Sequence, residues 1–212
     1  MEKKISAIIF VLVAIALAAV EAGGTSSPNV VSSYGTIEYP SRTNNLIVPF
    51  GQARFGPGLD WDGYAGYLNN YAFLDNVTYH GENPSMKLLA DPNGITPGDP
   101  ALWSKGWALN SSVNTVVIAG WVKASSGQVA RMACDFRDSN GLILDNYGVG
   151  PPQTGNWTST SEDWEFISLT YYDITSTNAT SVCLWIQNVP VRSGNYSAAC
   201  WFDSLSMIIT YG

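Results

Sequence analysis

The chain is poor in charge. Asp, Glu, Lys and Arg together make up 13% of its 212 residues, about half the usual globular share. There is one histidine, His80, and there are three cysteines. A lone histidine all but excludes His-rich metal sites and argues against a Ser-His-Asp triad. The 10 Lys and Arg are outnumbered by 17 Asp and Glu, giving a net charge of −7. Nucleic-acid binding needs clustered Lys and Arg to meet phosphates, so the balance argues against such a partner. What is abundant is aromatic and apolar: eight Trp, eleven Tyr and a hydrophobic share of 46%. That share argues against disorder. With plentiful Ser, Thr, Asn and Gly, it fits an extracellular β protein. The length suits one domain that buries its core without relying on disulfides.

The one long apolar run is at the N-terminus. Met1-Glu-Lys-Lys4 is a basic start, residues 5–20 are uncharged and mostly apolar, and Val20-Glu21-Ala22 supplies a cleavage pattern. Residues 1–22 therefore read as a secretory signal peptide cut after Ala22. The run is slightly long for a signal core and short for a membrane span of about 20 residues. A retained membrane anchor through residues 5–20 is the competing reading, and a pilin-like start at Ile5 is a third. Export is common to all three, with a secreted or cell-surface location. Residues 23–33, rich in Ser, Gly and Pro, read as a flexible linker. Residues 34–212 read as a single β-sandwich domain.

Within that body the periodicity is mostly two. Residues 115–123, 128–137, 164–172, 181–189 and 197–210 are β-branched or aromatic runs separated by Gly, Asn and Ser turns. Shorter strands are expected at 35–39, 45–48, 85–90 and 103–109. The one helical candidate is 64–74, where Tyr64, Tyr67, Leu68 and Tyr71 recur at helical spacing. Many short strands without interleaved helices predict an all-β jelly-roll sandwich of two antiparallel sheets.

Three stretches carry a family resemblance: Gly81 to Leu88, Val116 to Gly127, and Val129 to Phe136 followed by Asp138-Ser-Asn-Gly141. Two more continue it: Trp164 to Leu169 and Trp201-Phe-Asp-Ser-Leu-Ser-Met207. Their order resembles the jelly-roll carbohydrate-binding modules attached to xylanases and related glycosidases, over roughly the last 130 residues. The usual opening of such modules is replaced here by residues 51–61. The resemblance implies a galactose-binding-like β-sandwich and non-catalytic glycan binding. It also implies a structural calcium held by Asp203 in the last strand, with Glu82 contributing from a strand-entry loop. A turn-capping Asp203 without metal is the competing reading.

Strand parity suggests where a glycan would sit. If Val116, Ile118 and Val122 face inward, Trp121 faces out. If Ala130, Met132, Cys134 and Phe136 are inward, Arg131 and Asp135 face out. In the next run Val182, Leu184 and Ile186 are inward, with Cys183, Trp185 and Gln187 outward. Were the three strands in one sheet, Trp121, Trp185, Arg131, Asp135 and Gln187 would share its outer face. Sugars need flat aromatic platforms and polar groups together, which that set supplies. The alternative is that Trp121 or Trp185 packs beneath a covering loop. Trp164, Trp201 and Phe202 are expected in the core. Trp103, Trp107, Trp157, Tyr147 and Tyr196 are expected near the rim, with Trp157 the most exposed.

No catalytic pair stands out. Glycoside hydrolysis needs two facing carboxylates, and the acidic clusters Asp60-Trp-Asp62 and Glu162-Asp-Trp-Glu165 sit at loops or strand starts. His80 beside Tyr79 reads as a solvated loop histidine. Cys134, Cys183 and Cys200 allow at most one internal disulfide, Cys183–Cys200 by proximity or Cys134–Cys200 by parity. Five glycosylation sequons stand at Asn76, Asn110, Asn156, Asn178 and Asn195. The expected function is an exported, non-catalytic carbohydrate-binding protein with a polysaccharide partner. The alternative is a filament or envelope subunit that self-assembles by donating a strand from residues 23–39.

Overall fold

The structure, a computed structural model, describes residues 45–63, 70–81, 83–90, 100–144, 151, 153–190 and 198–212. The expected signal or anchor, the linker, the strand at 35–39 and the donor segment lie outside the described residues, as do Glu82, Tyr147, Asn195 and Tyr196. Among the described residues the chain forms β1 (Trp61–Gly63), β2 (Ala72–Asp75), β3 (Ser85–Leu89), β4 (Ala101–Ser104), β5 (Trp107–Ala108) and β6 (Val113–Ala124). Then follow β7 (Gln128–Arg137), β8 (Gln153–Gly155), β9 (Thr158–Ser159), β10 (Glu165–Tyr172), β11 (Ser181–Pro190) and β12 (Ala199–Tyr211). A single 3-10 turn, Ile174–Ser176, interrupts them.

All pairings are antiparallel, in two sheets. The first has the order β1-β4-β11-β7-β9, with β5 also pairing β11; the second has the order β2-β3-β12-β6-β10-β8. β7 alternates strictly, and β6, β11 and β12 do so with interruptions. Val116, Ile118 and Val122 of β6 are fully buried, as are Ala130, Met132 and Phe136 of β7 and Leu184 and Ile186 of β11. Phe202 and Met207 of β12 join those of β6 in facing the first sheet. Removing one such large side chain from water contributes about 1.5–3 kcal/mol. Buried polar links tie the sheets together. Asn188 Nδ2 of β11 donates to the Leu88 carbonyl of β3 at 3.0 Å, and the Cys134 N–H of β7 donates to Tyr171 Oη of β10 at 2.9 Å.

Of the helical candidate at 64–74, residues 64–69 lie outside the described residues, and its end, Ala72–Leu74, belongs to edge strand β2, paired with β3. The run at 45–48 is not a strand, although Leu46 and Ile47 are buried and the Leu46 N–H bonds the Met207 carbonyl of β12 at 3.0 Å.

Gly120 sits at an inward position of β6. The register of β12 against β6 shifts between Asp203 and Ser206, and this irregularity turns Leu205 into the space that Gly120 leaves. A Cβ there would run into Leu205 Cδ2. Gly120→Ala is expected to destabilise the domain by about 1–3 kcal/mol through overpacking, read as a lower urea midpoint with unchanged slope. An unchanged midpoint would show that Leu205 moves aside freely.

Candidate functional site

The outer face of the first sheet gathers aromatic and polar side chains in register. Asp62 of β1 pairs with Trp103 of β4, Trp103 with Trp185 of β11, and Trp185 with Ala133 of β7. The small Ala133 leaves the Trp185 ring open on that side. One step along, Gln187 pairs with Arg131, and Arg131 with Thr158 of β9. Arg131 Nη1 donates to Gln187 Oε1 at 3.3 Å. Its guanidinium carbon lies 4.9 Å from the Trp157 ring centre and 5.9 Å from that of Trp185. Arg131 is thus held between two rings, a cation–π arrangement that fixes all three side chains.

On the other side of Trp185, Trp103 Nε1 donates to Asp135 Oδ2 at 2.8 Å, and Arg137 Nη2 lies 3.9 Å from the same oxygen. These contacts orient the Trp103 ring. Beside them opens a cavity of about 440 Å³ lined by Asp62, Trp103, Lys105, Arg137, Ile143 and Cys183, among others. That size falls within the range of small-molecule sites. Asp60, next to this rim, is held below the usual carboxylate range by its hydrogen bonds from Arg54, against partial burial.

Four of the five expected site residues, Trp185, Arg131, Asp135 and Gln187, are therefore brought together on one face. Trp121 is not among them. Its strand, β6, belongs to the second sheet, paired with β10 and β12, because parity tells which way a side chain points but not which sheet it is in. There the His80 ring stacks on Trp121 with centroids 3.8 Å apart, and Phe166 packs against it at 5.4 Å. Trp121 is the residue under a covering loop. Trp157 is 37% exposed, the highest value among the described tryptophans. Trp103, expected at the rim, stands at the centre of the site. Its signal was the pattern Ala101-Leu-Trp-Ser104 with two apolar residues ahead of it. Trp201, expected in the core, lies on the outer face of the second sheet, while its neighbours Cys200 and Phe202 are fully buried.

Asp203 is fully buried and caps the loop that holds His80. Its Oδ2 accepts from the His80 and Gly81 N–H groups at 2.6 and 2.9 Å, and its Oδ1 accepts from the Ser204 N–H at 2.6 Å. Calcium is bound by oxygens, and both oxygens of this carboxylate already meet N–H donors. No cluster of three or more acidic, His or Cys side chains suited to a metal occurs among the described residues. Asp203 thus serves as a loop cap, and Glu82, the other expected ligand, lies outside the described residues.

No family model matches the chain, and no curated protein matches it. Several of the solved structures similar to this chain are carbohydrate-binding modules. The CBM22-1 xylan-binding domain of Paenibacillus barcinonensis Xyn10C aligns over 74% of this chain and 90% of its own, with 16% identity and a TM-score of 0.44. The CBM22-2 xylan-binding domain of the same protein aligns over 71% and 92%, with 12% identity and a TM-score of 0.48. TmCBM61, solved with beta-1,4-galactotriose, aligns over 76% and 93%, with 10% identity and a TM-score of 0.44.

The three cysteines are all free and buried. Cys183 faces out from the first sheet and Cys200 inward from the second, where its Sγ–H donates to Asn188 Oδ1 at 3.2 Å. Neither expected disulfide forms. Burial raises the Cys183 thiol to about 12, with Asp135 adding to the effect; burial likewise raises Cys134 and Cys200. The reactive species is the thiolate. With its folded value so far above the ordinary one, Cys183 stays neutral at pH 8 although it lines the cavity. Ellman's reagent at pH 8 is expected to titrate no thiol in the native protein and three in urea. One fast-reacting native thiol would contradict this burial.

Proposed function

We propose that this is an exported, non-catalytic carbohydrate-binding protein whose ligand lies across the outer face of the first sheet. The observation that carries the reading is the Trp103–Trp185–Arg131–Trp157 series. Flat rings there are locked by Asp135, Gln187 and Arg131, beside an open cavity. A pyranose presents an apolar CH face and a rim of hydroxyls. Trp185 and Trp103 offer the first a stacking surface, while Asp135, Gln187 and Asp62 set polar side chains beside it for the second. Rings held in place before binding lose little side-chain freedom, so more of the stacking energy appears as affinity. The export half of the proposal rests on the basic start and the apolar run of residues 5–20.

A non-catalytic role is supported by what the acids do. Asp135 is engaged by Trp103 and by Arg137, and Asp60 by Arg54. Ser159 Oγ donates to Glu165. Each of these carboxylates serves a structural partner, and none is a free acid facing a second one across the cavity.

Affinity electrophoresis against xylan, mixed-linkage glucan and galactan tests the proposal. The wild type is expected to be retarded by at least one of them, and Trp185→Ala to abolish that retardation with little loss of stability. Trp121→Ala is expected to do the reverse. Its ring is packed between His80 and Phe166, so truncation should cost about 3 kcal/mol, as large aromatic truncations do. No retardation of the wild type, or full retardation of Trp185→Ala, would overturn the reading.

A further inference from the structure

The second sheet carries on its outer face a row of alternating rings and ammonium groups that the carbohydrate site above does not use. Phe73 of β2 pairs with Lys87 of β3, Lys87 with Trp201 of β12, and Trp201 with Lys123 of β6. Inward neighbours on the same strands are buried: Met86, Leu88, Cys200, Phe202, Val122 and Ala124. The four row residues therefore point to solvent together, and Phe73 is 40% exposed. The register of β10 against β6, Glu165 to Val122, brings Trp164 next to Lys123 and extends the row by a third ring.

The row is built rather than merely present. Trp201 Nε1 donates to Asp75 Oδ2 at 2.9 Å, which fixes the indole in the plane of the face. The Lys87 ammonium lies 5.3 Å from the Trp201 ring centre. Among the described residues neither Lys87 nor Lys123 has a carboxylate within ion-pair distance. In a chain of net charge −7, two ammonium groups flank this fixed ring and outnumber Asp75, the carboxylate that bonds it and interacts with Lys87.

We infer that this face is a second ligand site, and that it takes an acidic polysaccharide. The two lysines sit on strands separated by one other strand, so their backbones are about 10 Å apart along the row. An extended glycan with a carboxylate on alternate sugars would meet both lysines and lay the sugar between them on Trp201. The ring supplies stacking and the lysines supply charge, so binding here depends on salt. The site faces away from the first one, so the protein would hold two glycan chains on opposite sides.

Lys87→Gln/Lys123→Gln tests the inference without touching the core or the first sheet. Hyaluronan is the acidic probe, and the neutral polysaccharides above are controls. Wild-type protein should bind hyaluronan at low salt, weaken at least tenfold between 20 and 200 mM NaCl (about the range over which the screening length falls several-fold), and lose binding in the double variant. Retardation by a neutral polysaccharide should be unchanged in that variant. Equal hyaluronan binding by wild type and variant, or none by wild type, would overturn the second site while leaving the first untouched. Loss of neutral binding in Trp185→Ala with hyaluronan binding intact would confirm that the two sites are separate.

Discussion

Alternation along the long strands is the constraint on which the rest depends. In β6, β7 and β11 every second side chain is committed to a core shared by two sheets, and in β12 the register shift after Asp203 moves that commitment from Phe202 to Leu205, Met207 and Ile209. The intervening positions are released from packing and free to carry chemistry. Because the core takes Val, Ile, Leu, Met and Phe, most of the tryptophans fall to the outward positions. Trp61, fully buried, and Trp107, packed against the core, are the exceptions among the described residues. An aromatic-rich, charge-poor sequence folded this way has aromatic outer faces as a direct consequence.

An exposed ring becomes a binding surface only when something holds it still. On the first sheet Asp135 holds Trp103, and Arg131 holds Trp157 and Trp185 at once. On the second sheet Asp75 holds Trp201. The scarce charges of this chain are thus spent largely beside its rings. Trp121 is the contrasting case. The loop capped by Asp203 lays His80 over it, and the ring becomes part of the packing. The same residue type on the same kind of position serves opposite ends, depending on whether a loop covers it.

Most of the strands were legible, because period-two runs of β-branched residues bounded by Gly and Asn have few alternatives. Parity was legible too: Val116, Met132, Leu184 and their neighbours point inward as alternation requires. Sheet membership was not. Nothing local distinguishes a strand that pairs in one layer from a strand that pairs in the other, so Trp121 was grouped with Trp185 although β6 and β11 lie in different sheets. Trp103 is expected at the rim because its run lies near loops in the sequence, whereas Lys105-Gly106 splits that run and seats Trp103 within β4. Trp201 was read as core on its hydrophobicity, although Cys200 and Phe202 had already claimed the inward positions on either side. At Ala72–Leu74 the end of the helical spacing pairs with β3 instead, which no local pattern announces.

The central claim is that Trp103, Trp185 and Trp157 form one surface that meets sugar. Indole N–H signals report each tryptophan separately in a two-dimensional 15N–1H spectrum. On titration with xylo- and gluco-oligosaccharides, the signals of Trp103, Trp157 and Trp185 should shift together with one affinity, while that of buried Trp61 stays still. Oligosaccharide-induced shifts that leave these three signals unmoved would contradict the account.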